Sequence, residues 1–162
     1  MKMLLCALVI SAIAAPGLAF ADGGTSCATA QEMFSNSAYS GDTSTSTNFV
    51  GAFGGLPSPG PDLAFKFTAG AQTGGNVVVN ITGGWNAGVV ITGACGGNGG
   101  NPIQAATGTT TFNVPLTNGS FVAGNTYYLY VTGNPSDNSG PSGAFNFTNG
   151  TTPVTLKDFS ID

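Results

Sequence analysis

Between residues 63 and 148 the chain is divided into short runs in which every second side chain is apolar, with glycine, proline or asparagine between most of them. A period of two sends successive side chains to opposite faces of a pleated strand, so these runs suit half-buried strands and not helices. In "DLAFKFT", Leu63, Phe65 and Phe67 share one face, while Ala64, Lys66 and Thr68 take the other. In "NVVVNIT", Val77, Val79 and Ile81 stand opposite Asn76, Val78, Asn80 and Thr82. "GVVITGAC" supplies another strand ending near Cys95, and "TTTFNVPL" aligns Phe112, Val114 and Leu116. Pro115 restricts the end of that last run to an edge or a bulge, because it cannot donate to a ladder. "TYYLYVT" sets Tyr127, Leu129 and Val131 against Tyr128, Tyr130 and Thr132, and "GAFNFTN" aligns Phe145 with Phe147. The terminal "PVTLKDFSID" slips phase between Val154/Leu156 and Phe159/Ile161, which predicts a bulge or break near Asp158.

Upstream the pattern is weaker. "TSCATAQEMF" (Thr25–Phe34) reads as one helical turn capped by Thr25 or Ser26, and Ser40–Phe53 reads as a polar edge strand. "GGLPSPGPD" (Gly54–Asp62) and "GGNGGNP" (Gly96–Pro102) read as loops. About seven to nine short strands with turn signals between them predict an all-β fold, an antiparallel, jelly-roll-like β-sandwich.

The first 21 residues have the layout of an export signal: Lys2, the apolar run Leu4–Ala15, and the small-x-small "AFA" at Ala19–Ala21. Cleavage there leaves residues 22–162 as one β-sandwich domain, soluble and located in the periplasm, at the cell surface or outside the cell. The same cut removes Cys6. Cys27 and Cys95 are then the only thiols, in a compartment that permits oxidation, and they are expected to pair; the alternative is two separate buried thiols.

Charge is scarce: 3 Lys+Arg, 7 Asp+Glu and no histidine, a net −4. There is no basic footprint for nucleic acid and none for anionic membrane surfaces. Disorder is excluded by the other half of the composition, since 41% of the residues are hydrophobic.

Six pieces, in order, carry a family resemblance: "CATAQ" (Cys27–Gln31), "GDTS" (Gly41–Ser44), "GPDLAFKFTA" (Gly60–Ala69), "NVVVNITGGWNAGVVITGAC" (Asn76–Cys95), "VAGNTYYLYVTG" (Val122–Gly133) and "SGAFNFT" (Ser142–Thr148). They are spread in order along nearly the whole of residues 22–162, and the chain resembles the bacterial pre-peptidase C-terminal domain, a secreted β-sandwich often appended to exported peptidases. The resemblance implies that the Tyr127–Val131 strand is central, with at least one face buried. It also raises calcium, which some related collagen-binding domains hold, with Asp42 and Asp62 as the available carboxylates. Departures weaken that expectation. Trp85 and Asn86 stand where many relatives have an aromatic-Asp pair, and Gly96–Gly100 replaces acidic residues.

Without histidine, the Ser-His-Asp and Cys-His arrangements and the usual zinc sites cannot be assembled. Lys66 and Lys157 have no serine motif around them, and no two carboxylates are brought together by the pattern; the chain reads as no enzyme. Asp42 and Asp62 read as turn or strand-start residues that bond nearby amides. The Asn-x-Ser/Thr matches at Asn80, Asn118, Asn146 and Asn149 are what this composition produces by chance. The expected function is a secreted, non-catalytic binding or adhesion module whose ligand is a carbohydrate or an extracellular protein. Its candidate contacts are Trp85, Asn86, Tyr128 and Tyr130. For Trp85 the competing reading is a plug at one end of the sandwich, and for the two tyrosines it is packing on a second face. Two further functions stay open: a subunit of an extracellular fibre, coat or matrix that self-associates through Thr151–Asp162, and an accessory partner of a secreted peptidase.

Overall fold

A computed structural model describes residues 23–71, 73–95, 100–117 and 119–150 of the chain. The alternating runs form strands β5 (Leu63–Thr68), β6 (Asn76–Ile81), β7 (Ala87–Thr92), β9 (Thr111–Pro115), β10 (Thr126–Gly133) and β11 (Ala144–Thr148). They are joined by β1 (Gln31–Glu32), β2 (Ala38–Asp42), the short β3 (Ala52–Phe53) and β4 (Leu56–Pro57), and β8 (Pro102–Gly108). One sheet, here sheet A, has the order β1-β5-β10-β7-β8; sheet B has the order β2-β11-β6-β9; β3 and β4 pair only with each other. All pairs are antiparallel except β1 with β5. The fold is therefore the expected β-sandwich.

The inner faces meet as the period of two requires. Leu63, Phe65 and Phe67 of β5, Val77 and Val79 of β6, and Leu129 and Val131 of β10 belong to one buried cluster with Phe145 and Phe147. Phe65 stands edge-on to Phe147 at 4.9 Å and to Tyr39 at 5.8 Å between ring centroids, geometries that the ring quadrupoles favour. The two inward tyrosines place their hydroxyls at the margin, where each accepts a backbone N–H: Tyr39 from Phe34 at 2.6 Å and Tyr127 from Val122 at 2.7 Å. A buried phenol oxygen needs such a partner. Both pin a loop to the core.

Three local expectations are corrected. Thr25–Phe34 forms no helix; Ser26 and Thr29 bond each other across a turn, and Gln31–Glu32 lies parallel to Phe65–Lys66 as β1. Ser26 Oγ does accept the Thr29 N–H at 3.3 Å, but it closes a turn and not a helix, because pairing along the β5 edge takes up the chain from Gln31. The Ser40–Phe53 run is not one strand either. It leaves β2 at Asp42, makes a 3-10 turn over Thr43–Thr45 and then crosses the outer side of sheet A. Within Gly54–Asp62, Gly54 and Gly55 hold φ of 58° and 86° and join β3 to β4 as a two-residue hairpin, a turn that requires positive φ at both centres. β8 has no alternating sequence and was not foreseen; it pairs along β7 with a register shift at Ile91/Thr92. The expected export signal (residues 1–21) and the terminal run Thr151–Asp162 lie outside the described residues.

Cys27 and Cys95 form a disulfide, with their Cα atoms 5.8 Å apart and a sequence separation of 68. It joins the segment before β1 to the end of β7. Among the described residues no helix is long and apolar enough to cross a membrane.

Candidate functional site

The sandwich has two outer faces, and they differ. Sheet A is covered. The strap that runs from β2 to β5 lays Phe49, Val50 and Phe53 over Ala64, Val90 and Tyr130, which are almost completely excluded from solvent. Tyr130 packs at 5.3 Å from Phe53 and 5.9 Å from Phe49 between ring centroids, and its hydroxyl is 3.8 Å from the Cys27 sulfur. Its own exposure is 0%, so Tyr130 has no surface to offer a ligand; of the two expectations for it, second-face packing holds. Tyr128 is half-buried beside the strap, opposite Lys66 on β5, and Lys66 in turn reaches Glu32 at 3.7 Å.

The strap is fastened by Asp62. This carboxylate is fully buried, and its Oδ2 accepts the N–H groups of Phe49 at 3.0 Å and Val50 at 2.9 Å. The Asp62 backbone donates to Thr47 and accepts from the Ser46 hydroxyl, while Asn48 donates to Ser58 O and Ser58 shares a hydrogen bond with Thr132. Asp62 Oδ1 has no hydrogen-bond partner of ordinary geometry. Burial pushes this carboxyl up to about 6, against the lowering effect of the Thr132 hydroxyl and the two amides.

Asp42 serves a different end. Its exposed carboxylate caps the 3-10 turn through the Ser44 amide and hydroxyl, which hold it below its ordinary range. Asp42 is thus committed to a nearby amide, as its turn position suggested, whereas Asp62 is committed to amides 12 and 13 positions away, which the strap brings to it. Calcium needs several oxygens gathered around one point. No group of three or more acidic or cysteine side chains suited to a metal occurs among the described residues. Among the described residues, Asp42 and Asp62 do not fit a calcium site.

Trp85 and Asn86 lie in the β6–β7 turn at one end of the sandwich. Trp85 is half-buried against the core, and its Nε1–H donates to Ala144 O at 3.0 Å. The backbone of Gly143 runs so close that a Cβ there would lie 2.5 Å from Trp85 Cδ1. This is the geometry of an end plug. Asn86 is a rivet: its Nδ2 donates to Asp137 Oδ2 and its Oδ1 accepts from Asn134 Nδ2, both at 3.2 Å. Ser139 closes the same loop on Asp137 Oδ1, and its hydroxyl is the main cause of the lowered Asp137 pKa.

Sheet B is bare among the described residues. Register places Ser40, Asn146, Asn80 and Thr111 side by side on its four strands, all outward. Thr111 Oγ1 donates to Asn80 Oδ1 at 2.8 Å, and Asn80 Nδ2 donates to Asn146 Oδ1 at 3.0 Å. The next row has Thr148, Val78 and Asn113. The alternation places Asn80 opposite its strand's apolar residues and Asn146 between Phe145 and Phe147, and both are also chance Asn-x-Thr matches. Nothing local indicated that the two amides would be neighbours.

Comparison of this chain with known protein families, with curated proteins and with solved structures returns no match.

Proposed function

We propose that this protein is an exported, non-catalytic binding module of the pre-peptidase C-terminal type. The observation that supports this reading best is the contrast between the two outer faces. The strap seals one with a second apolar cluster, while the other presents outward amides and hydroxyls already hydrogen-bonded across strands. The disulfide and the small-x-small site at Ala19–Ala21 agree with a life outside the cytoplasm. Asp42, Asp62 and Asp137 are each engaged by backbone amides and neighbouring side chains, which suits a scaffold that recognises rather than transforms its ligand. The test is retention of the exported chain on immobilised polysaccharides and extracellular matrix proteins. Retention on at least one is expected, and failure on every member of a broad panel overturns the reading.

A second reading, a subunit of an extracellular fibre or coat, draws on β8. This strand ends sheet A among the described residues, and beyond its first residue, Pro102, it carries neither charge nor proline, the usual guards of a sheet edge. An open edge of this kind accepts a further strand through main-chain hydrogen bonds. Sizing the chain with and without residues Thr151–Asp162 tests it: assemblies that shrink on truncation favour it, and a monomer in both cases removes it.

A further inference from the structure

We propose that the outward face of sheet B is the ligand platform and that its ligand is an extended, uncharged polysaccharide chain; the assignment rests on the binding-module reading above. The central row crosses all four strands in register, from Ser40 through Asn146 and Asn80 to Thr111. Its hydrogen bonds fix the two amides before any ligand arrives, so less side-chain freedom remains to be lost on binding. An asparagine side chain has two N–H donors and a carbonyl with two lone pairs, and this row uses only part of that capacity. Among the described residues nothing engages Asn146 Nδ2, which leaves donors facing outward from an exposed position. Mixed donors and acceptors on one surface are what sugar hydroxyls, themselves both donors and acceptors, require.

Spacing and charge narrow the ligand further. Neighbouring strands lie about 4.8 Å apart, close to the length of one sugar unit in an extended chain. A polysaccharide laid across the strands therefore meets one polar side chain per unit. The platform rows carry no charged group; Asp42, at one corner, is occupied with Ser44. With a net charge of −4 the protein repels anionic polymers, and the rows offer a cationic partner nothing to pair with. Protein partners are anchored by buried aromatic and arginine side chains, and these rows contain neither. A neutral glycan is the class that remains.

The experiment measures depletion of the exported chain from solution by insoluble cellulose, chitin, mannan and β-1,3-glucan, with alginate and collagen as comparison arms. Asn146→Ala, Asn146→Asp and Thr111→Val alter the platform at exposed positions, and Tyr128→Ala alters the opposite face; circular dichroism and thermal melting verify folding of each. The expected result is binding to at least one neutral polysaccharide, weakened about tenfold or more by each Asn146 variant and severalfold by Thr111→Val. Tyr128→Ala should stay within about twofold of the parent. Binding that survives the platform variants but is lost with Tyr128→Ala overturns the platform while the binding-module reading stands. Binding confined to alginate or collagen overturns the ligand class in the same way. Binding to nothing overturns both.

Discussion

Asp62 holds Val50 by its backbone: the buried Oδ2 accepts the Val50 N–H at 2.9 Å from twelve positions away. The adjacent Phe49 amide is held by the same oxygen. One carboxylate thereby fastens the strap that covers Tyr130, and the fastening has a pH dependence.

The Asp62 carboxyl lies at about 6 in the folded protein against 3.8 in the ordinary case, so the fold favours its neutral form. Stability from this group is full below about pH 4 and is lost as pH rises through about 6. The difference is about 3 kcal/mol at most. Asp42 and Asp137, both lowered, act in the opposite sense at more acid pH. Asp62→Asn keeps an oxygen acceptor for both amides. Its stability relative to the parent should rise between about pH 4 and pH 7 by roughly that amount in urea denaturation. A constant difference across this range would show that Asp62 does not titrate on folding.

Tyr130 is predicted to be structural. Tyr130→Ala opens a cavity beneath Phe49 and Phe53 and should cost about 3–5 kcal/mol in denaturant unfolding. Tyr128→Ala, at a half-buried position, should cost about 1 kcal/mol or less. Equal costs would contradict the burial described for the two rings.

The disulfide closes a separation of 68 residues, and removing it with the pair Cys27→Ser and Cys95→Ser should cost about 4 kcal/mol in the chain-entropy account. Thermal melting with and without reductant gives the same comparison. Thiol labelling of the unreduced, denatured chain recovered from outside the cell should find neither Cys27 nor Cys95 reactive.

At the β6–β7 end, Gly143→Ala should destabilise by about 2 kcal/mol or more, because the new methyl meets the Trp85 ring. Trp85→Ala should cost about 3 kcal/mol through lost packing and the loss of the bond to Ala144 O. Glycan binding, scaled to the folded fraction, should be unchanged in both; a selective loss in Trp85→Ala would make the ring a contact instead of a plug.

Which way each side chain faces was legible in the alternating runs, because a strand's period of two is a local property. It assigned Phe65, Val79, Leu129 and Phe147 to the interior and Asn80 to the opposite face, and with them the sandwich itself. The cysteine pair was legible from the expectation of export and the count of thiols. Facing outward, however, does not say what lies outside. Tyr130 and Asn80 both point away from the core between the sheets, yet one is sealed under the strap and the other stands in an open polar row. That difference arises from partners far along the chain: Phe49 and Phe53 for the tyrosine, Thr111 and Asn146 for the asparagine. The burial of Asp62 has the same origin. Alternation sets a side chain's direction within its own strand, whereas its surroundings depend on strand order and loop path, and these are decided only when distant segments pack.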